Sequence, residues 1–194
     1  MQRDWTSRRH RALQTVLSLL LVAAGAAWPA FACPGPPVPL QPVAPGVWLV
    51  PGADGDTTPD NRGALSNLLA VRDGRRLWLV GSGPSIAHAR ALDCQLQRVS
   101  GQRVTDVIAP WPRPELVLGQ AGLVGARRWA HADVASAMRE RCPRCIERLR
   151  LRLGTAASDL AEAVVALPDH LLQGDRGALG PLRWQRLQRS GTTA

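Results

Sequence analysis

A tight turn between two apolar runs constrains the fold of this chain more than any other feature. Asp73 and Gly74 form a dipeptide typical of hairpin turns, and β-prone residues flank it at 64–71 and 76–81. Residues 47–50 (VWLV) add another short strand-like run before this hairpin. Strands that come first as a meander, before helix and strand begin to alternate, indicate a layered α/β domain.

The segment after the hairpin has helical periodicity. Residues 85–99 are a predicted helix in which Ser85 is a suitable N-cap. Its apolar residues recur at helical spacing: Ile86, Ala89, Leu92 and Leu96. Further predicted strands lie at 103–109, 126–130, 161–168 and 182–188, with a predicted helix on each side of the CPRC motif at 142–145.

The N-terminus has the three parts of a secretory signal peptide. Residues 7–11 (SRRHR) are basic, residues 12–28 are apolar, and residues 30–32 (AFA) place small residues at the two positions that a signal peptidase reads. We therefore expect residues 1–32 to be a signal peptide, with an uncleaved anchor as the alternative, and the protein to be periplasmic or secreted. Contact with a membrane is expected only through this segment.

The charge of the mature chain is modest. Every basic residue is Arg, and the 24 of them against 15 acidic residues give a net charge of +9. Removal of residues 1–32 removes four Arg and Asp4, which leaves 20 basic against 14 acidic residues and a net charge of +6. Such a surface is typically solvated, and nucleic acid is not an expected partner of an exported chain.

The cysteines of an exported protein are disulfide candidates before they are metal ligands. Cys142 and Cys145 of the CPRC motif are the closest pair and form the candidate disulfide. Pro143 can start a helix, so Cys142 is a candidate N-cap, where the helix dipole would lower its pKa and favour redox activity. A static disulfide and two independent thiols remain alternatives. A four-cysteine zinc site lacks its second CxxC pair.

Two further segments complete the domain. Residues 33–46 are a Pro-rich lead-in that we expect to be extended and poorly packed, followed by one domain at 47–194. Within it, residues 107–119 (VIAPWPRPELVLG) join a strand to a proline-stiffened turn.

The order of these features resembles the N-terminal half of the metallo-β-lactamase fold. Ser66 and Asn67 match the Ser-Asn of that family, Gly81 stands where the family has an Asp, and residues 110–119 (PWPRPELVLG) fall on its THxHPDHVLG loop. The VLG exit and Pro114 particularly resemble exported zinc metallohydrolases associated with quinoprotein systems. The resemblance implies a partial αββα sandwich and, in active relatives, a zinc cofactor.

The zinc ligands of the family are absent from this loop. Trp111 and Arg113 stand at the first two His positions, Glu115 at the Asp position, and Leu116 at the third His position. Trp and Leu offer zinc no donor, and Arg brings a positive charge, so only Glu115 could ligate or act as a base. We therefore expect no catalytic residues, no metal ligands and no cofactor.

The later ligands of the family come from a GHTxGD segment, and residues 190–194 (SGTTA) stand about where it should begin. His88, His131 and His170 do not have the spacing of a metal site. We therefore expect a truncated domain whose sandwich is completed by a second copy or by a partner chain, with a poorly stable relic as the third alternative. The predicted function is an inactive exported relative with a binding role at Trp111, Arg113 and Glu115. The alternatives are a zinc hydrolase homologue that requires a second chain, and a thiol–disulfide or disulfide-stapled binding module centred on CPRC.

Overall fold

A computed structural model describes residues 32–187 of the chain. The predicted signal peptide lies outside this range except for Ala32, as do residues 188–194. None of the helices within 32–187 is both long and apolar enough to cross a membrane. The strands are β1 (Gln41–Ala44), β2 (Val47–Val50), β3 (Leu68–Asp73), β4 (Arg76–Val80), β5 (Asp106–Ala109), β6 (Arg127–His131), β7 (His170–Leu172), β8 (Arg176–Leu179) and β9 (Leu182–Gln185). The α-helices are α1 (Ile86–Ser100), α2 (Pro114–Val117) and α3 (Ala132–Leu153).

The main sheet has seven strands in sequence order, β1 to β7. The first four are an antiparallel meander, and β4 to β7 run parallel. Asp73 pairs with Arg76 across the β3–β4 turn, which confirms the hairpin. Strands β8 and β9 form a separate hairpin. The predicted layered α/β class is therefore correct.

One face of the sheet packs against α1 and α3 to form the core. Helix α1 begins as predicted, because the Ser85 hydroxyl accepts a hydrogen bond from the His88 N–H at 3.1 Å. It ends at Gly101, which has a φ of +76°. The predicted apolar positions of this helix belong to the core: Ile86, Ala89, Leu92 and Leu96.

Helix α3 corrects the prediction of two helices flanking CPRC. One helix of 22 residues runs through the motif, with Pro143 inside it. The His131 side chain caps it, accepting from the Asp133 N–H, so Cys142 is not the N-cap. A proline in a helix removes one backbone hydrogen bond, but Pro143 lies on the exposed side. A continuous apolar stripe holds the opposite side against the core: Ala135, Met138, Cys142, Cys145, Ile146, Leu149 and Leu153.

Two other segments differ from expectation. Residues 161–168 form no strand, and the strand that pairs with β6 is β7, just after them. The Pro-rich lead-in is anchored rather than poorly packed: it contains β1, it buries Val38, and Cys33 forms a disulfide with Cys94 of α1. That bond spans 61 residues, a loop length for which chain entropy predicts a stabilisation of about 4 kcal/mol.

The other face of the sheet carries a buried ionic cluster around Asp106. Its carboxylate is inaccessible to solvent and accepts hydrogen bonds from Arg76 at 2.6 and 3.0 Å, from Trp129 Nε1 at 2.9 Å and from Arg127 at 3.1 Å. Thr105 donates a further bond at 2.8 Å. Burial by itself would raise the pKa of Asp106, but these donors outweigh it and hold the pKa below its usual value.

Another part of this face is apolar and only half-buried. Leu69, Val80 and Ile108 lie in register across three strands and keep intermediate exposure. The β8–β9 hairpin covers part of the face, since the ring of Trp78 lies directly against the backbone of Gly180.

We predict that Asp106→Asn lowers the free energy of unfolding by about 2 kcal/mol near pH 7, because a buried carboxylate loses its charge beside two half-exposed guanidinium groups. Because the pKa of Asp106 is lower in the folded state, its charge stabilises the fold in full above the unfolded-state pKa of about 3.9, and that stabilisation is lost as pH falls from there through the folded-state pKa. Urea unfolding should therefore show the variant and the wild type converging below about pH 4. Asp133→Asn, whose partner Arg186 is exposed, is the control and should change stability by less than about 1 kcal/mol. An equal effect of both substitutions would contradict the prediction.

Candidate functional site

The loop that follows β5 at its carboxyl end contains the four positions of the degenerate zinc motif. Trp111 is 50% exposed, and Arg113 is exposed at the N-cap of α2. Glu115 and Leu116 are buried within that helix. The structure thus separates the four positions into two at the surface and two directed into the protein.

Glu115 is held by two polar neighbours. Its carboxylate forms an ion pair with Arg113 Nε at 2.9 Å, and the Ser66 hydroxyl donates to it at 3.5 Å. Asn67 turns the other way, and its side-chain oxygen accepts a hydrogen bond from the Gly52 N–H at 2.8 Å. Ser66 therefore connects the β2–β3 loop to Glu115, while Asn67 bridges the two ends of that loop.

Leu116 fills the space that a side chain at position 81 would need. Gly81 has a φ of +76°, and a Cβ added to it would lie 2.8 Å from a methyl carbon of Leu116 and 2.7 Å from one of Leu68. Hydrogen bonds hold the backbone together around this contact, because the Ser82 N–H and hydroxyl both donate to the Leu116 carbonyl. The position of the family's Asp is thus packed with hydrocarbon.

A cavity of about 440 Å³ lies beside Glu115. Its wall combines prolines of the lead-in, the β2–β3 loop and the start of α1, including Pro36, Val50, Asn61 and Pro84. Its polar groups include Glu115, Ser66, and an ion pair of Arg62 with Asp159. A volume of this size falls in the range of small-molecule sites.

His88 also lines this cavity, and sequence reasoning did not assign it to a site. Burial lowers its pKa, although Asp159 nearby acts in the opposite direction. Its Nε2 is buried without a hydrogen-bond partner among the described residues. Gly83, which packs against its ring, is close in sequence, but the Asp159 carboxylate that acts on it lies far along the chain, so nothing in the helical pattern of α1 distinguishes this histidine.

The other two histidines within residues 32–187 have separate contacts. His131 caps α3, and its Nε2 lies 3.1 Å from the Gly174 carbonyl. His170 stacks on Trp129 with ring centroids 4.3 Å apart. Within residues 32–187, no three His, Cys, Asp or Glu side chains come together as a group that could hold a metal. The residues at the motif positions do not fit zinc.

The candidate disulfide between Cys142 and Cys145 is not formed. Both are free and buried in α3. Burial, with Cys145 beside it, raises the pKa of Cys142 to about 12. A redox-active thiol requires a lowered pKa and access to solvent, whereas the pKa of Cys142 is raised and both thiols are buried.

Comparison with solved structures identifies the fold. The metallo-β-lactamase from Hirschia baltica aligns with a TM-score of 0.56 at 14% identity, over 76% of this chain and 59% of that one. FIM-1 from Pseudomonas aeruginosa, in its mono-zinc form, aligns with a TM-score of 0.55 at 16% identity, over 78% and 60%. The metallo-β-lactamase from Pontibacter korlensis gives 0.51 at 13% identity, over 75% and 58%.

These likenesses show that the chain has a partial metallo-β-lactamase fold, as the sequence predicted. The chain spans less than two thirds of the length of these structures. No protein-family model and no curated protein matches it.

We predict that Gly81→Ala destabilises the protein by about 2–3 kcal/mol, because it combines an unfavourable positive φ with overpacking against Leu68 and Leu116. Gly74→Ala is the matched control: it has a φ of +57° but open space around it, and should cost about 1 kcal/mol. Thermal unfolding of both variants measures the difference. Equal losses would show that Leu116 does not fill this position.

Proposed function

We propose that this chain, which has the metallo-β-lactamase fold over part of its length, is an exported binding protein without zinc hydrolase activity. The observation that carries the proposal is the packing of Leu116 and Leu68 over Gly81. A zinc hydrolase needs space and donors at this point of the fold, and here the space is apolar.

The donor chemistry supports the same proposal. Catalytic zinc takes three protein ligands and a water that becomes hydroxide. Trp111 and Leu116 have no lone pair suitable for zinc. The Arg113 guanidinium forms an ion pair with the Glu115 carboxylate, which is therefore not free to bind a metal cation. Glu115 is the one chemically competent residue among the four positions, and it cannot hold a metal alone.

A binding role is supported by the cavity of about 440 Å³ beside Glu115. Its wall is mostly apolar, while the Arg62–Asp159 pair and the Ser66–Glu115 contact place polar groups within it. This combination favours a small organic ligand with an apolar body and a few hydrogen-bonding groups.

Export is supported by the Cys33–Cys94 disulfide, since such bonds persist in oxidising compartments. The signal peptide and the association with quinoprotein systems stay predictions. A homodimer or partner chain that completes the sandwich also stays a prediction, and the half-buried apolar face around Leu69, Val80 and Ile108 is the surface that it would cover.

We predict that the mature protein contains less than about 0.1 zinc per chain after export and purification in zinc-supplemented medium, because three of four donors are absent. Elemental analysis measures the content, and FIM-1 purified in the same way is the control for metal retention. About one chelator-removable zinc per chain, together with hydrolysis of a β-lactam or a thioester, would overturn the proposal.

We predict that small organic fragments bind in the cavity and shift the amide resonances of Ser66, Gly83 and Glu115 in a two-dimensional NMR titration. Ala87→Trp, at an exposed position of the cavity wall, should abolish these shifts by filling the opening. Ala161→Trp is the control, because Ala161 is exposed but does not line the cavity. Shifts that survive Ala87→Trp, or no shifts in the wild type, would contradict a binding role for this cavity.

A further inference from the structure

We infer that a second cavity, between the zinc-motif loop and α3, is a binding site for an oxyanion such as a phosphate group. Its volume is about 210 Å³, and three segments of the chain line it. The β2–β3 loop contributes Thr57 and Gly63, and the N-terminal end of α2 contributes Arg113. Helix α3 contributes Arg148 and Arg152.

The cavity has an excess of positive charge. Arg113 is neutralised by Glu115 at 2.9 Å. Arg148 and Arg152 form no ion pair with a carboxylate in the described part of the chain, although many other arginines do, for example Arg76 and Arg127. The only polar contact of the Arg148 guanidinium within residues 32–187 is a long one of 3.9 Å to Cys145 Sγ. Two guanidinium groups are therefore available for an anion.

The positive charge continues along α3 beyond this cavity. A neighbouring depression of about 390 Å³ is lined by Arg141, Arg144, Glu147 and Arg148, so Arg148 belongs to both. Residues 141, 144, 148 and 152 follow helical spacing and share one side of the helix. Glu147 is the only acidic residue that lines this neighbouring depression.

The exposed arginines of this side of the helix repel one another weakly. Like charges at i and i+4 destabilise a helix slightly, and Arg144, Arg148 and Arg152 form two such pairs in succession. Glu140 and Glu147 offset this repulsion only at Arg144. The helix dipole favours a cation at Arg152, in the last turn, but it does not account for Arg144 or Arg148. An oxyanion held between guanidinium groups removes the repulsion.

The chemistry of arginine selects the class of ligand. A guanidinium presents paired N–H groups that match two oxygens of a phosphate or carboxylate, and such charge-assisted bonds are strong. A space of 210 Å³ admits one such group rather than a large molecule. The group can belong to a free anion or to the headgroup of an anionic lipid.

The inference is independent of the proposed function. Glu115 lines both the cavity of about 440 Å³ and the anion cavity, but Arg148 and Arg152 do not line the cavity of about 440 Å³. Loss of ligand binding in the larger cavity would leave the anion site intact, and the reverse also holds.

The test is calorimetric titration of the full mature protein with inorganic phosphate at constant ionic strength, with chloride as the compensating salt. The double variant Arg148→Gln/Arg152→Gln should weaken binding about tenfold or more, because it removes both available guanidinium groups. Arg98→Gln/Arg139→Gln removes the same charge at exposed positions that do not line the cavity, and should change affinity by less than about twofold. Circular dichroism checks that both variants fold.

Sedimentation with vesicles distinguishes the two sources of the anion. The site would be assigned to a lipid headgroup if the protein binds phosphatidylglycerol vesicles but not phosphatidylcholine vesicles, and if free phosphate displaces it from the former. Phosphate binding without vesicle binding would assign it to a soluble anion. The inference is overturned if the wild type binds neither phosphate nor anionic vesicles, or if the two double variants weaken binding equally.

Discussion

The buried carboxylate of Asp106 is the interaction on which the parallel part of the sheet depends. It joins β4, β5 and β6 through Arg76, Arg127 and Trp129. A buried carboxylate of this kind is tolerated only when its oxygens are fully paired, and this one is. Because β5 leads directly into the zinc-motif loop, the same cluster determines where Glu115 and Leu116 lie.

A shared fold does not require shared chemistry at this site. The chain has a partial metallo-β-lactamase fold at 13–16% identity to the solved structures compared. Main-chain contacts maintain that arrangement, such as the bond from the Ser82 N–H to the Leu116 carbonyl, and these do not require particular side chains. Metal binding does require them, and hydrocarbon from Leu68 and Leu116 occupies the place beside Gly81.

Local patterns could be predicted from the sequence, and long-range pairings could not. The Asp73–Gly74 turn and the Ser85 cap depend on residues close in sequence, so both were correct. The break expected at Pro143 was wrong, because tertiary packing of the apolar side of α3 outweighs one missing backbone bond. Pairing of Cys33 with Cys94 could not be chosen from four cysteines, since it depends on where the lead-in crosses α1.

The sequence by itself determined the order of strands and helix from β2 to β6, and it placed side chains that offer zinc no donor at positions 111, 113 and 116, because both are properties of single residues and their neighbours. Only the tertiary structure decided what surrounds these positions. It brought Arg148 and Arg152 from α3 to the side of Arg113, and His88 and the Arg62–Asp159 pair to the side of Glu115. Cavities are formed by segments far apart in the chain, so periodicity and spacing contain no record of them.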